Sequence, residues 1–241
     1  MENDMPDLWR EGLGFLADAG LNLTAVFPWN NLPDKVQRPL HAAGLDSYTH
    51  LLLTAHGGTR LWSRLTPAHW QTADPIDNYS LSVTNKFLTR YLGSPPHQIL
   101  YPHPHLSFPL AALGELAGWG RPSPLGLGIH PEYGLWYAYR TAVAITADLP
   151  TPPLPPPPPH PCHTCADKPC TTTCPVVAVQ HDQFAVMTCV THRTAPHSSC
   201  AHRCLARLAC PVAPQHRYTD DQIRYHYAHS LRIINGYLAE M

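Results

Sequence analysis

Eight cysteines carry the plainest chemical signal in this chain, and every one lies after residue 160. The first run is Cys162-His-Thr-Cys165-Ala-Asp-Lys-Pro-Cys170-Thr-Thr-Thr-Cys174-Pro175. The second is Cys189, then Cys200-Ala-His-Arg-Cys204, then Cys210-Pro211. Thiolates are soft ligands, and cysteines a few residues apart in turns bring several sulfurs around one small volume. In a secreted chain such a set reads as disulfides; in a reducing compartment it reads as metal ligands. The first twenty residues are mixed and rather acidic (Glu2, Asp4, Asp7), with no basic patch leading into an apolar run. No secretory signal is expected, and no stretch approaches the ~18 apolar residues of a spanning helix. The expectation is a soluble, cytoplasmic protein with reduced cysteines.

Four thiolates around one centre can hold either zinc or an iron–sulfur cubane. In two-cluster ferredoxins three cysteines of a run bind one cluster, and the fourth, followed by proline, reaches the other. Both runs here end in Cys-Pro. The reciprocal assignment therefore puts Cys162, Cys165, Cys170 and Cys210 on one [4Fe–4S] cluster and Cys189, Cys200, Cys204 and Cys174 on the other. The spacing departs from the usual bacterial pattern, with four residues instead of two between Cys165 and Cys170, and the second run is looser still. One or two structural zinc sites are the alternative, because zinc tolerates variable spacing; a disulfide scaffold is the third. Two clusters imply electron transfer, whose destination lies elsewhere in the chain.

The elements that must position this site divide at a proline-rich stretch. Residues 151–161 are expected to be a stiff, extended connector between residues 1–150 and a ferredoxin-like module over 162–241. Of the 241 residues 44% are hydrophobic, enough for a core, while only 14% are charged and the net charge is -1. Nothing there points to a nucleic-acid partner. Helices are expected over residues 7–19, from Pro75 with Asp74 as N-cap, over 110–119, and at the C-terminus behind a Thr219/Gln222 capping box. Ile223, Tyr227, Ile234 and Leu238 share one face of that last helix; Tyr225, His226, His229 and Arg232 lie on the other. Residues 48–54 read as a buried strand. Residues 135–146 alternate like a strand, with Trp136, Ala138 and Arg140 on one face. The segment Tyr101-Pro-His103-Pro-His105 reads as a stiff surface loop, not a metal site.

The stretch Gly126-Leu-Gly-Ile-His130-Pro131-Glu-Tyr133-Gly134-Leu-Trp136-Tyr-Ala138-Tyr-Arg140 resembles the "IHPxFGGWFAxR" stretch of CblC-type cobalamin-processing proteins. Asp74-Pro75-Ile76-Asp77 is similar to that family's "DPVD" at a helix start, and the likeness continues through Asp148-Leu149-Pro150. It covers roughly residues 25–160. A turn of this kind followed by a cysteine module also resembles epoxyqueuosine reductases and reductive dehalogenases, which join a cobalamin-binding, nitroreductase-like domain to two [4Fe–4S] clusters. The resemblance implies an α+β fold: a nitroreductase-like antiparallel sheet flanked by helices, followed by a small ferredoxin-like module. It also implies a bound corrinoid such as cobalamin, with Gly128, His130, Gly134, Trp136 and Arg140 as its candidate contacts. In the CblC family the arginine matching Arg140 contributes to a glutathione site. No segment matches the catalytic acid region of the epoxyqueuosine reductases, so queuosine chemistry is not expected.

The residues themselves also allow plainer roles. His130-Pro131 can be a simple turn, Trp136 can be core, and Arg140 can be paired with Asp74 or Asp77. The functional expectation is an iron–sulfur oxidoreductase that passes electrons from two clusters to a corrinoid and draws them from a donor protein or small reductant. The alternatives are a ferredoxin-like carrier with no second cofactor and a structural zinc protein.

Overall fold

The computed structural model describes residues 4–103, 108–151, 156, 159–180 and 183–240. Most of the proline connector, and His105, lie outside them. In chain order the elements are α1 (Asp4–Asp18), β1 (Leu23–Pro28), α2 (Asp34–Ala42), β2 (His50–Gly57), α3 (Arg60–Arg64), α4 (Pro75–Leu92), β3 (His97–Tyr101), α5 (Leu110–Leu116), β4 (Arg121–Pro122), β5 (Gly128–Ile129) and β6 (Tyr137–Ile145). There follow α6 (Pro169–Thr172), α7 (Val186–Thr194), α8 (Leu205–Leu208) and α9 (Asp220–Ala239). The chain forms two compact units. One holds residues up to 118 together with 137–156; the other holds 119–136 together with 157–241. Residues 119–136, expected from sequence to belong with the first 150, are therefore grouped with the cysteines.

The sheet unit is built on four strands in the order β1-β2-β6-β3, every pairing antiparallel. The run His50-Leu-Leu-Leu-Thr-Ala-His-Gly57 alternates poorly because almost all of β2 is buried. Helix α4 packs on β6, α1 on α4, and α3 on β2. Helix α4 starts with Pro75 in its first turn, where a missing amide costs nothing. Asp74 occupies the cap position but makes no side-chain cap bond. The helix stops at Gly93, whose φ of 68° is left-handed and brings its N–H back to the Leu88 carbonyl. Three buried hydroxyls satisfy one another inside: Thr141 is 2.8 Å from Thr54 and 3.1 Å from Thr84.

Strand β6 is shorter than the alternation suggests and carries a bulge. Thr54 faces Thr141 and Ala55 faces Tyr139, so Arg140 is the extra residue. Trp136 stands before the strand, in a turn whose N–H bonds the Tyr133 carbonyl at 2.9 Å. The expected sharing of one strand face by Trp136 and Arg140 is thereby lost.

In the cysteine unit the segments that carry the cysteines are short helices and turns, followed by the long helix α9. A two-stranded ribbon pairs β4 with β5. Two small apolar clusters form its interior. Leu125, Ile129 and Leu135 pack with Val179, Ala206 and Cys210, and Trp136 packs with Tyr218 and Ile223.

Candidate metal centre

All eight cysteines are free thiols, and the local turns that carry them are short. Cys162 sits in a 3-10 turn after His160, whose ring Nδ1 accepts the Cys162 N–H at 3.1 Å. Cys170 lies in α6, a four-residue turn of helix opened by Pro169. Cys189 lies in α7, a helix not expected from the residue pattern. Cys204 caps α8, where its Sγ accepts the Arg207 N–H at 3.4 Å. Cys162, Cys170, Cys174 and Cys204 all pack against the apolar cluster that contains Cys210.

The sulfurs fall into two neighbourhoods. Burial pushes the Cys162 thiol up to about 11, and the nearby Cys210, Cys170 and Cys165 add like-charge repulsion. Cys170 is raised by burial and then by Cys210 and Cys165. Cys189 is also raised by burial first, but the thiols that act on it are Cys204, Cys174 and Cys200. The thiols that act on Cys162 and Cys170 are thus different from those that act on Cys189. The second neighbourhood has a visible container: Cys174, Cys189, Cys200 and Cys204 all line one cavity of about 240 Å³. Leu125, Val179, Phe184 and Tyr227 contribute to its walls, with His192 and Arg193.

Among the described residues, no group of three or more His, Cys, Asp or Glu could hold a metal ion. A tetrahedral zinc needs four sulfurs each ~2.3 Å from one point. A cubane presents its irons at the outer corners, so its thiolates stand farther apart around a larger body. An apolar cavity walled by four free thiols fits the larger body.

Cations also surround the thiols. Arg193 acts on Cys189, Arg217 and Arg207 on Cys210, and Arg207 on Cys204. Sequence reasoning passed over these arginines, although two of them follow a cysteine by three or four residues in the same turn.

The other candidate residues divide between the units. His130 and Gly134 close a tight turn through paired backbone bonds of 2.8 and 2.9 Å. The His130 ring braces that turn, with Nδ1 accepting the N–H groups of Glu132 and Tyr133 at 3.0 and 3.1 Å. Burial first, and then the nearby His216, lower the His130 pKa to about 4, so the ring is neutral near pH 7. Gly134 has φ +57°, and a Cβ there would stand 2.5 Å from the Val212 carbonyl oxygen, so only glycine fits. Gly128 is exposed in β5. Trp136 is 1% exposed, edge-on to Tyr218 and capped by the Arg207 guanidinium 4.5 Å from its ring centre. Arg140 is in the sheet unit, 8% exposed, with Nη1 3.4 Å from an Asp77 carboxylate oxygen.

Sheet, helices and strand order define a mixed helix and antiparallel-sheet protein. That fold is shared with epoxyqueuosine reductases and with CblC. The enzyme from Streptococcus thermophilus aligns over 86% of this chain and 66% of its own, with TM-score 0.51 and 12% identity. An epoxyqueuosine reductase solved with an epoxyqueuosine-modified tRNA-Tyr stem loop aligns over 91% and 69%, with TM-score 0.53 and 13% identity. The C. elegans B12-trafficking protein CblC, a homologue of human MMACHC, aligns over 97% and 95%, with TM-score 0.52 and 12% identity. The chain thus spans about two thirds of the reductases' length and nearly all of CblC's. At these identities the likeness is one of fold. No family model and no curated protein matches the sequence.

Proposed function

We propose that this chain is an iron–sulfur oxidoreductase whose cysteine unit holds two [4Fe–4S] clusters and delivers electrons to a corrinoid. The observation that carries the iron–sulfur part is the cavity bringing Cys174, Cys189, Cys200 and Cys204 together, although Cys174 belongs to the other cysteine run. A zinc site built from neighbouring cysteines has no need of that exchange. Bound clusters would supply one-electron transfer at low potential. The chain's own part is to present the thiolates, exclude water with Leu125, Val179 and Phe184, and surround the sulfurs with fixed cations. A donor protein or small reductant completes the circuit.

Corrinoid as the acceptor rests on the fold shared with a B12-trafficking protein. It takes no support from His130 and Trp136, which are engaged in the packing of the cysteine unit, or from Arg140, which is paired with Asp77. Their burial favours a second reading, an electron carrier with no cofactor in the sheet unit.

Anaerobic purification with assay of iron and acid-labile sulfide tests the first part: about eight of each per chain are expected. A colourless, zinc-replete protein would overturn it. Titration of the same sample with cobalamin under reduction separates the two readings. A change in the corrinoid's visible spectrum supports the oxidoreductase; unchanged spectra with intact clusters leave the carrier.

A further inference from the structure

Arg207 stands between the two cysteine groups along the chain. It lies in α8, between Cys204 of one quartet and Cys210 of the other. Its backbone ties both: its N–H points at Cys204 Sγ, and its carbonyl accepts the Cys210 N–H at 3.2 Å. The side chain is pinned. Nη2 donates to the Leu135 carbonyl at 2.5 Å, and the guanidinium lies over the Trp136 ring and 5.3 Å from the Tyr218 ring centre. Nε is buried with no partner in the protein. The Arg207 charge is felt at Cys204 and at Cys210 alike. Two other arginines have the following anchors and neighbours. Arg193, held by Ser230 Oγ and the Tyr227 carbonyl, acts on Cys189. Arg217, which bonds the Leu208 carbonyl, acts on Cys210.

We propose that Arg207 is a positioning residue common to both quartets, a single fixed cation that sets the reduction potentials of the two centres together. The inference rests on the iron–sulfur reading above. Reduction adds negative charge to a thiolate-bound cluster, so a nearby cation that cannot swing away favours the reduced form and raises the potential. The Trp136 face and the Leu135 carbonyl deny Arg207 that freedom.

The test is a redox titration of the anaerobically reconstituted full chain, followed by electron paramagnetic resonance. Wild-type protein should give two midpoint potentials. Arg207→Met should lower both, whereas Arg193→Met should lower one and Arg217→Met the other. If Arg207→Met moves one potential or neither, the proposal is overturned and Arg207 is a packing residue. Should Arg207→Met fail to take up iron, Arg207→Gln decides on the same criterion: it removes the charge but keeps a planar group to lie over Trp136, and both potentials must fall. Wild-type protein that takes up no iron and sulfide would refute the iron–sulfur reading itself, an outcome distinct from two unshifted potentials.

Discussion

In the sheet unit Leu51, Leu52, Leu53, Val143 and Phe87 are all fully buried or nearly so, and strands of eight and nine residues pair along their length. In the cysteine unit the interior is two small clusters, and α6, α7 and α8 have four, nine and four residues. Helices this short are marginal alone, and apolar clusters this small bury little area. The first unit is stabilised by continuous apolar burial and ladder hydrogen bonds. In the second, the short helices α6–α8 carry or flank the cysteines, and under the proposed iron–sulfur reading their order would depend on bound iron.

The sharpest way to break that contrast is to withhold iron. Structural metal binding contributes on the order of 10 kcal/mol to small cysteine domains. Hydrogen exchange should therefore show α6–α8 losing protection in the iron-free chain while β2 and β6 keep theirs; equal loss in both units would erase the distinction. Next in size, Phe87→Ala should cost roughly 3–5 kcal/mol in denaturant melts of the sheet unit, since Phe87 is fully buried against Trp9, and leave the iron content unchanged.

Acid should act on the cysteine unit. The folded His130 pKa lies near 4, below the ordinary 6.5, so the unfolded chain binds the proton more readily. Stability from this group is complete above about pH 6.5 and is lost progressively as pH falls toward 4, by roughly 3 kcal/mol in all. Melts between pH 7 and 4 should show that slope, and His130→Asn should flatten it. The smallest effect expected is Thr219→Ala, which removes the bond from the Gln222 N–H at 3.2 Å and should cost about 1 kcal/mol of α9 stability by helix-specific exchange.

Local patterns were legible where local physics decides. Pro75 opens α4, the apolar run gives β2, and Thr219 caps α9 as its sequence suggests. Half of that capping box is absent, for Gln222 Oε1 is buried without a partner. The Arg140 bulge could not be read, because a bulge is fixed by the partner strand's register and not by the bulged strand's own alternation. Helix α7 was missed because Val186, Thr188, Val190, Thr191 and Thr194 have β-branched side chains, poor helix formers held here by tertiary context. The cysteine runs were conspicuous by composition, but the grouping of Leu125, Ile129, Leu135 and Trp136 with them comes from contacts far apart in sequence. No periodicity announces such contacts.

That grouping bears on how the chain can be made. It enters the cysteine unit at residue 119, leaves at 136 and returns at 157. On the ribosome, Trp136 must wait bare until Tyr218 and Ile223 have been synthesised, long after the strand that follows it can pair. A fragment cut at the prolines would be born without Leu125, Ile129 and Leu135, and grafting the tail alone onto another protein would transplant thiols without their floor.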